Sequence, residues 1–238
     1  MKDTRLIMGM PITVEISDSS DEKILEKIFD YFVSVDERFS TYKDTSEISK
    51  INRGELSLED ASDDMKEVFS LSEQTRKETN SFFDIKTPSG KIDPSGLVKG
   101  WSIYKASQIL QLNGSKMFYI EAGGDVQVSG QVWKVGIKNP FNPKEVVKVV
   151  SLTTEGIATS GTYERGSHIY NPKGEMESEI VSLSVIGPNV YEADRFATAA
   201  FAMGRQGIGF IENLSGFEGY MIDKAGMGTA TSGFLRYT

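Results

Sequence analysis

A chain of 238 residues, 39% apolar and 25% charged, is long enough to bury a substantial core and has the composition of an ordinary globular protein. It contains no cysteine, which excludes thiolate nucleophiles, disulfides, thiolate zinc sites and iron–sulfur clusters. The net charge is −8 and the sequence shows no basic stripe, so nothing in it gathers nucleic acid. No run approaches the ~20 apolar residues of a membrane span. The opening Met1-Lys2-Asp3-Thr4-Arg5 lacks the apolar core of a signal peptide. Taken as native, that N-terminus predicts a cytoplasmic protein with no membrane insertion.

In chain order, residues 5–17 alternate around Ile7, Ile12, Val14 and Ile16 and read as a strand interrupted at Met8-Gly9-Met10-Pro11. Residues 22–39 place Ile24, Ile28, Phe32 and Val35 on one helical face. A loop over 41–46 leads into a short helix that opens at Ser46-Glu47 and ends near Arg53. A longer helix is predicted over 58–77, with Met65, Val68, Phe69 and Ser72 inward. Pro94, Ser95 and Gly96 punctuate the start of a helix that runs through Ile103, Ala106 and Leu110 to Gly114.

Strands are then predicted over 117–121, 126–128, 133–137, 146–152, 157–160, 168–170 and 181–186. They are separated by Gly123-Gly124-Asp125, Asn139-Pro140, Asn142-Pro143 and Asn171-Pro172. Helices over 191–203 and 206–213 and two closing strands complete the chain. Long helices mixed with hairpin-spaced strands predict an α+β fold rather than a doubly wound parallel sheet. With no linker or repeat, the whole of 1–238 reads as one domain.

The segment Asp93-Pro94-Ser95-Gly96-Leu97-Val98-Lys99 sets an acid, a helix start and a lysine close together. A helix N-terminus attracts anions through its first amides and dipole, and Lys99 adds a mobile positive charge one turn in. The same residues also suit a capped surface helix with a solvated lysine.

Several stretches follow one another in a recognisable order. They are Met8-Gly9-Met10, Phe39-Ser40-Thr41-Tyr42 with Ser46 to Asn52, Phe83-Asp84-Ile85 and Asp93 to Lys99. Gly123-Gly124-Asp125, Ala158-Thr159-Ser160-Gly161 with Tyr163-Glu164-Arg165, His168-Ile169-Tyr170-Asn171-Pro172-Lys173-Gly174, and Ala193-Asp194 with Ala197-Thr198-Ala199 continue it. This pattern, spanning nearly the whole chain, resembles the ApbE family, the FAD:protein FMN transferases. The resemblance implies a T-fold-like α+β architecture with a largely antiparallel sheet and packed helices, and it implies binding of FAD and Mg²⁺. It also implies a reaction that splits the FAD diphosphate, places FMN on a threonine of a client protein and releases AMP.

Asp194 and Thr198 lie at i and i+4, so one helix face presents a carboxylate and a hydroxyl. Such hard oxygens suit Mg²⁺, although an acid complementing a helix dipole and a packed hydroxyl explain the pair equally well. The resemblance implies that both are metal ligands, joined by the Gly96 carbonyl, and that His168, the only histidine, takes the client threonine's proton. It further implies contacts to FAD from Met8, Tyr42, Phe83, Asp84, Asp93, Lys99, Gly123, Gly124, Asp125, Thr159, Ser160 and Ile169.

Two departures from the family stand out. A longer tryptophan-containing segment is reduced here to residues 86–91, and Glu121 and Asn171 replace the residues usual at their positions. An FAD pyrophosphatase and a non-catalytic flavin carrier are the competing functions. Gly228-Thr229-Ala230-Thr231-Ser232-Gly233 is similar to client acceptor motifs, but it reads as a closing strand, and no self-modification is predicted there.

Overall fold

The computed structural model describes residues 1–161 and 179–238. The chain opens with β1 (Lys2–Ile7) and β2 (Met10–Ile16). Met8 and Gly9 join them with φ of 55° and 72°, the left-handed pair required by a two-residue turn between twisted strands. The interruption foreseen in the sequence is therefore a reversal of direction. α1 (Glu22–Phe39) begins where Asp21 accepts the Lys23 N–H and buries Leu25, Ile28, Phe29, Phe32 and Val35, which follows its i, i+3, i+4 apolar spacing.

α2 (Glu47–Asn52) is capped by Ser46. α3 (Asp63–Glu78) starts later than residue 58. The reason is local: the Ser62 hydroxyl accepts the Met65 N–H at 3.2 Å and donates to Glu47 at 2.7 Å. Ser57 meanwhile closes a separate turn on Asp60. A serine that satisfies an orphan helix amide fixes the N-terminus more firmly than the apolar pattern upstream of it.

α4 (Ser95–Leu112) is followed by β3 (Phe118–Ala122), β4 (Asp125–Ser129), β5 (Trp133–Asn139) and β6 (Asn142–Leu152). Asn142-Pro143, expected as a separating turn, lies inside β6. Among the described strands β6 pairs with β5 alone, and proline is tolerated at such an edge. Then come β7 (Gly156–Gly161), β8 (Ile180–Gly187), α5 (Val190–Ala202), α6 (Gln206–Glu212), β9 (Glu218–Asp223), β10 (Gly228–Ala230) and a 3₁₀ turn (Phe234–Tyr237). The strand expected over 168–170 lies outside the described residues.

Eight strands form one sheet in the order β1-β2-β3-β4-β7-β8-β9-β10, with every neighbour antiparallel. This is the α+β architecture the sequence predicts. α1 and α4 pack on one end of the sheet, through Phe29, Phe32, Ile103 and Leu110 against Ile12, Val14 and Ile120. α5 packs on the other end, through Phe196, Ala197 and Phe201 against Leu183 and Val185. The opposite face is closed by the β5–β6 hairpin and Phe234 over Val126, Val128, Ile157 and Ile186.

α4 buries residues on most of its circumference, from Leu97, Val98 and Trp101 to Ser107 and Leu110. It is an interior helix, which is why it shows no single apolar stripe. α5 is held beside it by polar contacts at its start and flank. Gln127 Oε1 accepts the Val190 N–H at 2.8 Å, and Asn189 caps Glu192 at 3.0 Å. Arg195, 4% exposed, pairs with Glu78 of α3 and with Glu192, and lies 4.0 Å from the Phe196 ring centre. Replacing Arg195 with methionine should cost about 2 kcal/mol, less than a fully buried pair would lose because Glu78 remains partly in water. A denaturant titration showing no loss would remove Arg195 from the account of how α5 is fixed.

Candidate active site

A buried polar cluster forms where the first turns of α4 meet α5, beside the ends of β4 and β7. Two glycines make the meeting possible. A Cβ on Gly100 would lie 2.5 Å from Asp194 Cβ and 2.8 Å from the Val190 carbonyl oxygen, and one on Gly96 would lie 3.3 Å from Thr198 Cγ2. Only a residue without a side chain lets the two backbones come this close.

The Gly100 N–H donates to Asp194 Oδ2 at 2.8 Å. In a regular helix that N–H points at the carbonyl four residues back, which is Gly96. Asp194 thus shares the donor that the helix directs at the Gly96 carbonyl, and this oxygen also accepts from Thr198 Oγ1 at 3.3 Å. Ser160 Oγ lies 3.4 Å from the same Thr198 hydroxyl. A carboxylate, two hydroxyls and a main-chain carbonyl therefore converge, with Asp194 only 2% exposed.

Lys99 is not the mobile surface charge foreseen in the sequence. Its ammonium sits 2.8 Å from Asp125 Oδ2, with the lysine side chain 15% and the aspartate 0% exposed. Asp125 Oδ1 also accepts the Thr159 N–H at 3.0 Å. Burial pushes the Asp125 carboxyl up from its ordinary value. The Lys99 charge, the Thr159 amide and a hydrogen bond with Asp194 act against that shift. Two acids and one lysine are thus buried side by side, an arrangement common at functional sites.

The structure separates the other expected residues. Gly123 and Gly124 turn β3 into β4 at φ of 56° and 88°. A Cβ on Gly123 would lie 3.0 Å from the Met10 sulfur and 3.9 Å from Lys99 Cδ, so this turn borders the cluster. Phe83 is buried, and its ring lies 3.5 Å from the Cβ position of Gly96. Met8 is half-buried in the first hairpin and packs against both helical clusters beneath it.

Asp93 accepts the Ser95 N–H at 3.0 Å and so closes the turn into α4. It also lines a cleft of about 370 Å³ with Thr41, Asn52, Arg53 and Lys91. Tyr42, next in the chain to Thr41, does not line that cleft and is 97% exposed. Asp84 accepts the Lys86 N–H and lines a different cleft, of about 340 Å³, with Ser72, Arg76 and Ile92. Thr159 differs from Ser160: its hydroxyl pairs with Ser184 at 2.8 Å, whereas that of Ser160 reaches Thr198. Consecutive strand residues face opposite sides of a sheet, so only the Thr159 main chain joins the cluster. His168 and Ile169 lie outside the described residues.

Sequence reasoning gave no role to Gly100 or Met10. The spacing Gly96-x-x-x-Gly100 places two glycines on one helix face, and that was the available signal for a close helix contact.

Among the described residues no three His, Cys, Asp or Glu side chains gather in a metal-binding group. A cation at this cluster would instead take its oxygens from Asp194, the Thr198 hydroxyl and the Gly96 carbonyl. That donor set fits a hard ion such as Mg²⁺, which uses few protein ligands and keeps waters or phosphate oxygens.

The sequence matches the ApbE family over residues 8–89 and 86–221. A curated relative from Salmonella typhimurium, an FAD:protein FMN transferase, is 27% identical over 64% of this chain and 48% of its own length. Another of that name, from Rhodobacter capsulatus, is 34% identical over 50% of this chain and 25% of its own. The chain spans about half the length, or less, of these curated relatives. The solved flavin transferase ApbE from Vibrio cholerae is similar in fold, with TM-score 0.86, 20% identity and coverage of 100% and 99% of the two chains. The ApbE protein of Thermotoga maritima is similar at TM-score 0.87 and 20% identity.

Proposed function

The chain belongs to the ApbE family, and on that premise we propose that it transfers FMN from FAD to a threonine of a client protein and releases AMP. The observation that carries this reading is the convergence of Asp194, Thr198 and the Gly96 carbonyl next to the Lys99–Asp125 pair. Relatives that bear the transferase name support it.

In the proposed reaction the threonine Oγ forms a bond to the FMN phosphorus. The bond from that phosphorus to the bridging oxygen breaks, and AMP leaves with the electron pair. The threonine proton passes to His168, whose ordinary pKa suits a base near neutrality. Phosphoryl transfer asks a protein chiefly for positioning and charge neutralisation. Lys99, held by Asp125 at the first turn of α4, supplies a fixed positive charge, and the helix start adds amide dipoles.

Asp194, Thr198 and the Gly96 carbonyl would hold a Mg²⁺ ion, which would supply Lewis-acid polarisation of the diphosphate. The Met8 hairpin, Phe83 and the Gly123-Gly124 turn border the place where the dinucleotide would lie. The cleft lined by Asp93 offers room for one of its rings. An aromatic side chain free of packing at 97% exposure is suited to cover a flat ring system.

Thr231 is 3% exposed, its hydroxyl binds Glu218, and it accepts the Gly219 N–H at 2.9 Å. That occupancy supports the expectation that this acceptor-like stretch is not its own substrate. A mass spectrum with an FMN adduct on Thr229 or Thr231 after incubation with FAD and Mg²⁺ would overturn it.

The test is one incubation of the purified protein with FAD, Mg²⁺ and a peptide bearing an acceptor threonine. AMP together with flavin on the peptide is the expected result. AMP with free FMN would make the protein an FAD pyrophosphatase, and unchanged FAD would make it a carrier. Thr198→Val, which keeps the side chain's bulk and removes its hydroxyl, should lower the transfer rate roughly tenfold while the fold is retained. An unchanged rate would take the hydroxyl out of the ligand set.

A further inference from the structure

We infer that the tip of the β5–β6 hairpin, together with the β9–β10 turn, is a docking surface for an anionic lipid bilayer. The hairpin turns at Pro140-Phe141, and Phe141 is 57% exposed. The neighbouring turn brings Met227, 66% exposed, to the same place: a Cβ on Gly226 would lie 3.8 Å from the Phe141 ring. Val146 and Val149, each at least half exposed, continue the apolar surface along the outer side of the hairpin.

Lysines outnumber acids around this apolar tip. Residues 133–152 hold four lysines against one glutamate in a chain whose net charge is −8. The exposed Lys138 and Lys144 flank the tip, and the exposed Lys224 lies in the adjoining turn. None of these three makes an ion pair with a described residue. Of the carboxylates nearby, Asp223 is neutralised by Arg205, while Glu145 accepts from the neutral Asn139 and Asn142 amides and keeps its charge, which leaves the three lysines in excess. Lys224 joins this lysine-rich hairpin from a turn distant in sequence.

The tip is also braced. The Asn139 side chain accepts the Phe141 N–H at 3.0 Å, and the two amide contacts to Glu145 close the turn from both sides. Exposing an aromatic ring on a stiff turn forgoes burial. A projecting tip of two large apolar side chains falls short of the ~800 Å² per partner of a standard protein interface. A headgroup layer, in contrast, receives an apolar tip and attracts the lysines that flank it. Asp223 pairs with Ile180 and Gly161 with Ser182, so the β9–β10 turn lies at the same end of the sheet as Ser160. Docking would turn that end toward the lipid.

The test is co-sedimentation of the full chain with vesicles of phosphatidylcholine alone and of phosphatidylcholine mixed with phosphatidylglycerol. Binding is expected to the mixed vesicles only, and to weaken as salt is raised. Phe141→Asp combined with Met227→Asp should reduce it tenfold or more, on the order set by burying one large apolar side chain. Lys138→Ala and Lys144→Ala should each reduce it about fivefold. Unaltered thermal melting would show that the variants are folded, and the lysine variants test the surface without touching any packed residue. Failure of the wild-type chain to prefer the anionic vesicles overturns the assignment, as does undiminished binding by the variants. If the vesicles stay bare while the same substitutions impair transfer to a folded acceptor protein, the tip belongs to a protein interface and the lipid assignment falls.

Discussion

Replacing Gly100 with alanine should both destabilise the protein and remove its activity. In a solvent-exposed helix the same change stabilises by about 1 kcal/mol, because alanine is the better helix former. Here the new methyl group would sit 2.5 Å from Asp194 Cβ, 2.8 Å from the Val190 carbonyl oxygen and 3.0 Å from Asp194 Oδ2. Two of these neighbours are backbone or backbone-adjacent atoms that cannot swing aside, so α4 and α5 must move apart. Overpacking of this kind costs about 1–3 kcal/mol, or very roughly 2–10 °C of melting temperature for a chain of this size. The displacement would also break the Gly100–Asp194 hydrogen bond and separate the Gly96 carbonyl from Thr198. A loss of about a hundredfold in turnover is expected, since misplacement by an ångström is enough for that. A Gly100→Ala protein that melts higher and turns over normally would show that the close helix contact is incidental.

Replacing Asp194 with asparagine separates chemistry from architecture. The amide oxygen can still accept the Gly100 N–H, and the side chain keeps its volume, so the fold should survive with a change of no more than about 1 kcal/mol. What disappears is the negative charge that would hold a divalent cation. Turnover should fall by about a thousandfold, the scale of a lost Lewis acid in group transfer. Asp194→Ala is the less informative variant, because it also leaves a buried N–H without its acceptor, which costs about 1–3 kcal/mol. Parallel measurement of melting temperature and AMP release for Asp194→Asn is decisive. A stable protein with a rate within a few-fold of the wild type would take Asp194 out of the site.

How much of this could be read in the sequence depended on the range of the interaction. α1 was legible to the residue, because Asp21 caps it and its apolar spacing never breaks. The placement of Asp194 and Thr198 on one face of α5 was legible because they lie four residues apart on one helix. α3 was misjudged at its start because the decisive contact, Ser62 with Glu47, joins two helices. The same holds for Lys99, whose partner Asp125 sits in another element and converts an apparent surface charge into a fixed one.

α4 hid its importance in a different way. A helix buried on most sides has no amphipathic rhythm to detect, and its two glycines look like weak points until α5 is placed against them. Thr159 and Ser160 were grouped although strand alternation already assigns them to opposite faces. That distinction was available in the sequence and was not drawn. The basic tip near Phe141 was beyond reach, since it joins turns more than eighty residues apart.

The most direct test of the account is a crystal structure of the chain with FAD and Mn²⁺, using the anomalous signal of manganese to locate the cation. The account predicts one peak between an Asp194 carboxylate oxygen, Thr198 Oγ1 and the Gly96 carbonyl, at about 2.1 Å from each, with a diphosphate oxygen completing its shell. A peak bound to the diphosphate but distant from Asp194 and Thr198, or a dinucleotide seated away from the α4–α5 contact, would contradict it.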